Sequence, residues 1–161
     1  MNITNILETG EFDKLIDIST DDKVWNDLVS EIYNFGVYEE NILGYYACVK
    51  LLDSNLSKFK RAELHYTAAI ILTMGINFVC GGYMLGFYHM KKAIELDFNN
   101  IDYKVYMLST FANSPEIVIP KEYVNHIVSE ILTKDPNNEV ALRFSGEIGD
   151  VRLSNNSNLK I

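Results

Sequence analysis

The sequence predicts an all-α fold, and three observations carry that expectation. Apolar residues recur at helical spacing along most of the chain. No stretch sustains the apolar–polar alternation of a half-buried strand. The interruptions are short and built from glycine, asparagine and proline, the residues that start and stop helices.

Length and composition fit this picture. The 161 residues, 48% apolar and 22% charged, are enough to bury a sizeable core without disulfides or metals. Only three prolines occur and no Pro- or Ser-rich linker divides the chain. The expectation is one domain over residues 1–152, followed by a polar, aperiodic tail over 153–161.

The elements follow in order. Phe12, Leu15 and Ile16 mark a short helix. Val24, Trp25, Leu28, Val29, Ile32 and Phe35 form one stripe, which Thr20 or Asp21 can cap and Gly36 can close. Ile42, Leu43, Tyr45, Tyr46, Val49 and Leu52 mark a helix running from about residue 38 to 52. A long helix is expected from about 57 to 78, with Leu64, Ala68, Ile71, Leu72 and Ile76 inward, until Gly81-Gly82 breaks it. The next runs to about Asp97, and Asn99 or Asn100 caps another that carries Val105, Leu108 and Phe111. Pro120 suits the first turn of a further helix with Tyr123, Ile127, Val128 and Ile131 on its apolar side. Asp135-Pro136 ends that helix, and Val140, Leu142 and Phe144 open the last of seven or eight.

Within this series, the stretch Gly81-Gly-Tyr-Met-Leu-Gly-Phe-Tyr-His-Met-Lys-Lys-Ala-Ile-Glu-Leu-Asp-Phe-Asn-Asn100 resembles the second helix of a tetratricopeptide repeat and the turn after it. Gly86 and Ala93 stand at the small crossing positions, and Tyr83 and Met90 at larger apolar ones. Phe98 stands where the family usually has proline, a departure. Thirty-eight residues on, Ile131-Leu-Thr-Lys-Asp-Pro136 repeats the ending with proline present. The usual period is about 34 residues, so a small insertion is expected between Pro115 and Pro120. Ala141-Leu-Arg-Phe-Ser-Gly146 resembles the start of a first helix, and Gly36 to Cys48 is more loosely similar to a second one. The resemblance covers residues 61–146 and thins over 10–60. It implies antiparallel helical hairpins stacked into a surface that holds another protein; a generic helical bundle would satisfy the same stripes.

The net charge of −8 is unevenly spread. Residues 1–53 carry eleven acids and three lysines, whereas residues 54–161 carry eleven of each sign. An acidic surface repels nucleic-acid phosphates, so direct nucleic-acid binding is not expected, and it attracts a basic partner. The alternative role for these acids is simply to keep the domain soluble. Tyr33, Tyr38, Tyr45 and Tyr46 lie among them, and tyrosine beside carboxylates can receive lysine and arginine side chains.

From Leu64 to Met90 there is no charged residue. The length would suffice for a membrane span, but Asn77, Thr67, Thr73 and Gly81-Gly82 interrupt it. Two central helices buried by their neighbours are expected instead, and no membrane association. Met1-Asn-Ile-Thr-Asn-Ile-Leu-Glu8 has neither a basic start nor a continuous apolar run, so a cytoplasmic location is expected.

No motif points to a reaction. His65, His89 and His126 are widely separated and lack metal-ligand spacing, so no metal or other cofactor is expected, and His65 and His89 read as packing histidines. Cys48 and Cys80 read as buried, reduced thiols. Adjacent acids such as Asp21-Asp22 and Glu39-Glu40 point to different faces and read as solvated charge.

The expectation is therefore a non-enzymatic interaction protein. In size and charge it resembles the immunity proteins of bacterial competition systems, which implies an inhibitor that caps a basic toxin or nuclease domain. Glu8, Glu11, Asp13, Asp17, Asp21, Asp22, Asp27, Glu31, Tyr38, Glu39 and Glu40 are the candidate contacts. The alternative is an adaptor or chaperone of the tetratricopeptide type with several protein partners.

Overall fold

The structure, a computed structural model, describes residues 2–146. Among them there are helices and turns but no strand. The expected tail over 153–161 lies outside the described residues. The chain divides into two compact units, Met1–Asn100 and Ile101–Ile161.

The first unit holds six α-helices: α1 (Ile3–Thr9), α2 (Asp13–Ser19), α3 (Trp25–Val37), α4 (Ile42–Leu52), α5 (Lys58–Ile70) and α6 (Gly82–Leu96). A π-helical segment, Ile71–Gly75, continues α5. Leu15, Leu28, Ile32, Leu64 and Ile71, all on predicted stripes, are each fully buried. Helix α4 turns a different face inward: Ala47, Cys48 and Leu51 are buried while Ile42 and Tyr46 are exposed. Apolar residues surround this helix, so its periodicity does not single out one face. Side-chain caps set three of the six helix starts. The side chain of Asn2 accepts from the Asn5 amide, Asn41 from Leu43, and Ser57 from Lys60. Gly10, at φ 70°, ends α1 by donating its N–H to the Ile6 and Leu7 carbonyls.

Several boundaries differ from expectation. Neither Thr20 nor Asp21 caps α3. The Asp21 carboxylate accepts from the Lys23 amide at 2.9 Å, closing a separate turn, and Val24 precedes the helix without a side-chain cap. Gly36 lies inside α3 and does not close it. A β-carbon on Gly44 would sit 2.7 Å from the Gly36 Cα, and one on Gly75 would overlap the Gly36 carbonyl. Three chain segments thus meet at Gly36 closer than any side chain allows.

The long helix expected to about residue 78 ends earlier, because its last turn widens. The Ile76 amide donates to the Ile71 carbonyl at 2.8 Å, an i→i+5 bond, while the Thr73 hydroxyl donates to the Ala69 carbonyl at 2.8 Å. The uncharged stretch is consequently not buried throughout. Met74, Phe78, Met84 and Tyr88 are all exposed around the connection from the π segment to α6. No helix among the described residues is long and apolar enough to cross a membrane.

Lys60 joins the turn before α3 to α5. Its ammonium is buried, donates to the Ser19 carbonyl at 2.8 Å, pairs with Asp22 at 2.6 Å and lies 4.8 Å from the centre of the Trp25 ring. The indole N–H of Trp25 donates to Glu63 at 2.5 Å, so the single tryptophan is fixed at both its face and its edge.

The second unit contains α7 (Ile101–Phe111), α8 (Lys121–Lys134) and a helical run described over 139–146. Pro120 stands at the N-cap of α8, one position before the first turn that the sequence predicts for it, and Asp135 follows the helix as predicted. Its buried side chains include Met107, Leu108, Phe111, Ile127, Ile131 and Ala141. A buried ion pair, Lys104 to Glu130 at 2.9 Å, links α7 to α8.

Candidate functional site

The predicted contact acids are distributed over α1, α2, α3 and the turns beside them, and the structure sorts them by what they already hold. Glu11 pairs with Lys14 at 2.5 Å, Asp13 with Lys50 at 2.7 Å and Asp22 with Lys60 at 2.6 Å. The Asp13 carboxylate raises the Lys50 pKa by hydrogen bonding and by charge. Glu31 is half-buried and accepts from the Thr4 hydroxyl at 3.1 Å, joining α3 to α1. Asp21 closes its own turn. The other five, Glu8, Asp17, Asp27, Glu39 and Glu40, are exposed and have no ion-pair partner among the described residues.

Tyr38 stands beside Glu39 and Glu40 with three quarters of its surface exposed, its ring edge-on to Tyr33 at 5.8 Å. Glu40 takes φ 50°, in the left-handed region, at the turn where Asn41 begins the capping of α4. The local segment from Tyr38 to Glu40 therefore presents an aromatic ring and two carboxylates from a constrained turn.

A second site was not predicted. His65 on α5 and His89 on α6 are both buried, and their Nδ1 atoms lie 2.8 Å apart. One imidazole must donate to the other, so at least one Nδ1 carries a hydrogen. The Nε2 of His89 is 3.4 Å from the Tyr45 hydroxyl on α4, a long contact that extends the chain of polar groups to a third helix. Burial first, then Arg61 and Lys92, push the His65 pKa down to about 4. Burial and His65 itself push His89 down to about 4. At neutral pH both rings are uncharged.

This pair forms part of the lining of a groove of about 550 Å³ between α4, α5 and α6. Val49, Leu52, Leu85 and Leu96 supply its apolar walls, and Arg61, Lys92, Asp53 and Glu95 its charged rim. Lys92 is engaged by Glu95 at 2.6 Å. Arg61 donates one N–H to the Leu52 carbonyl at 3.2 Å and has no carboxylate partner among the described residues.

The cysteines divide. Cys48 is buried, and burial raises its pKa to about 12, so its thiol is inert, whereas Cys80 is exposed, contrary to the expectation of two buried thiols. Among the described residues no three histidine, cysteine or acidic side chains converge as a metal site.

Comparison with family models, with curated proteins and with solved structures gives no match. Geometry and chemistry therefore carry the functional argument alone.

Proposed function

We propose that this is a non-catalytic interaction protein whose acidic first unit captures a basic protein, as an immunity-type inhibitor captures a toxin or nuclease domain. The observation that carries this is the set of five exposed carboxylates, Glu8, Asp17, Asp27, Glu39 and Glu40, that have no ion-pair partner among the described residues, whereas Lys14, Lys50 and Lys60 are taken by Glu11, Asp13 and Asp22. Such charges steer a cationic partner and pair with it at contact, and Tyr38 beside them offers a flat face to lysine or arginine. On this reading the interaction is made in the cytoplasm, without nucleic acid or membrane.

The tetratricopeptide-like arrangement belongs to the same proposal. Gly86, Met90 and Ala93, small or apolar at the positions the repeat requires, are all buried on α6, which supports it. A second reading, an adaptor with several partners, is favoured by the exposed Met74, Phe78 and Met84.

The test is capture from lysate of the source cells on the immobilised chain, beside a variant with those five carboxylates reversed to lysine. A single basic protein, held by the native chain, lost by the reversed one and inactivated on binding, is the expected result. If the same proteins are held by both chains, the acidic surface is not the contact. Several proteins held through a variant with Met74, Phe78 and Met84 unchanged, and lost when these become serine, identify the adaptor.

A further inference from the structure

We infer that the groove between α4, α5 and α6 binds a small organic acid, its carboxylate held by Arg61 and His65 and its apolar body lying against Leu52, Leu85 and Leu96. This is independent of the acidic surface and of the protein partner proposed for it.

Two polar groups in the groove are incompletely used, and both favour an anion. Arg61 presents five N–H donors, of which one is engaged by a backbone carbonyl. Elsewhere among the described residues its guanidinium meets no carboxylate, while the other groove cation, Lys92, is already paired with Glu95. The planar fork of an arginine matches a carboxylate in a way a lone ammonium does not.

His65 is the second such group. Its Nδ1 is engaged by His89, and its Nε2 has no hydrogen-bond partner. Every fully enclosed polar side-chain atom among the described residues does have one, so this Nε2 is not fully enclosed, and His65 is part of the groove lining. When the Nδ1 of His65 accepts from His89, its Nε2 carries the hydrogen and donates into the groove. In that tautomer His89 Nε2 is an acceptor for the Tyr45 hydroxyl. In this arrangement of the three side chains, which the proposal requires, one N–H donor lies one helical turn from the Arg61 guanidinium on the groove wall. The local field agrees: Arg61 and Lys92 act on His65 more strongly than Glu95 does.

Size and lining select the rest of the ligand. A volume of about 550 Å³ with apolar walls suits a molecule of drug-like size. Asp53 and Glu95 on the rim disfavour a second negative charge, so a monoacid fits better than a diacid or a phosphate.

The probe is 4-phenylbutyrate, titrated into the purified full chain beside 4-phenylbutyramide, which has the same body and no charge. Histidine ring shifts in NMR report the binding. The acid is expected to bind with a Kd of about 1 mM or tighter, to shift the His65 ring, and to bind at least about tenfold more tightly than the amide. Equal binding of acid and amide in the native chain overturns the proposal without any variant, as does binding of the acid that leaves His65 unshifted. R61Q should weaken the acid about tenfold and leave the amide unchanged, with thermal unfolding as the control for folding. A peptide ending in phenylalanine, with its terminus free or amidated, forms the last arm. If the free-ended peptide binds and 4-phenylbutyrate does not, the groove takes chain termini and the small-molecule assignment is wrong.

Discussion

The Nδ1 atoms of His65 and His89 lie 2.8 Å apart inside the first unit, two imidazoles sharing one hydrogen where a charge on each would be repelled. Both have pKa values pushed from the ordinary histidine range down to about 4. Between about pH 6.5 and 4, the unfolded chain therefore binds more protons at these positions than the folded one. The stability contributed by the neutral pair is complete above that window and is lost as pH falls through it. We expect acidification from about pH 7 to about pH 5 to cost roughly 3–4 kcal/mol through this pair. Urea midpoints followed by the emission of buried Trp25 measure it. The H65Q/H89Q double variant should show a flatter pH profile; an unchanged slope would place the acid sensitivity in other groups.

A different constraint operates where α3, α4 and the π segment meet. Gly75 has no room for a methyl group, because backbone atoms of Gly36 and Val37 already occupy that space. Gly75→Ala should therefore cost about 3 kcal/mol or prevent folding. Gly81 has open space around its Cα but φ 76°, so Gly81→Ala should cost only about 1 kcal/mol, by conformation alone. Thermal unfolding of the two variants checks the ordering. Equal losses would mean that the close approach at Gly36 is relieved by a small shift.

These two sites also show where the sequence was informative. The stripe from Trp25 to Phe35 identified the buried face of α3 because a 3.6-residue period dictates which side chains share a face. Asp135-Pro136 located the end of α8 because proline cannot continue a helix with the residue before it held helical. The π segment escaped notice, since one widened turn leaves no periodic trace and depends on Thr73 and on packing against Gly36. Helix α1 escaped as well: it is only about two turns long, with Asn2 as its cap. The exposed Met74, Phe78 and Met84 show that a stretch without charges need not be interior.

The histidine pair depended on helix crossing, yet a signal existed. A β-carbon on Gly86 would lie 3.4 Å from the Ala69 carbonyl, so two small residues let α5 and α6 approach. His65 lies one turn from Ala69, and His89 one turn from Gly86. Reading small residues as crossing points, and then looking one turn beyond them, would have brought the two rings together. Which of the first-third acids are neutralised was not readable, because Asp13–Lys50 and Asp22–Lys60 join residues far apart in sequence.

The Asp22–Lys60 pair leads to a third prediction. Lys60 is buried, whereas most of the Asp22 side chain is exposed, so the two ends of the bridge are not equivalent. D22N leaves a buried ammonium with the Ser19 carbonyl and the Trp25 face as its remaining partners. We expect it to cost about 1–2 kcal/mol. K60M frees an aspartate into solvent and keeps the apolar stem, and should cost less than D22N. Denaturant midpoints of the two variants decide this; the opposite order would mean that Lys60 acts chiefly through Ser19 and Trp25.

The last prediction separates stability from binding at Glu40. Its φ of 50° places a side chain where L-residues are disfavoured, and nothing among the described residues pairs with its carboxylate. Glycine adopts that backbone without strain but gains freedom in the unfolded chain. We expect E40G to raise stability by about 0.5 kcal/mol, the difference between relieved strain and added unfolded-state entropy. Were the turn only a connector, the variant would also bind a basic partner as well as the native chain does. On the function proposed for the acidic unit it should instead bind more weakly, by about two- to fivefold, with a shallower dependence on salt. The two measurements, a thermal midpoint and a salt-dependent Kd, move in opposite directions only if Glu40 is held in its conformation for contact rather than for folding.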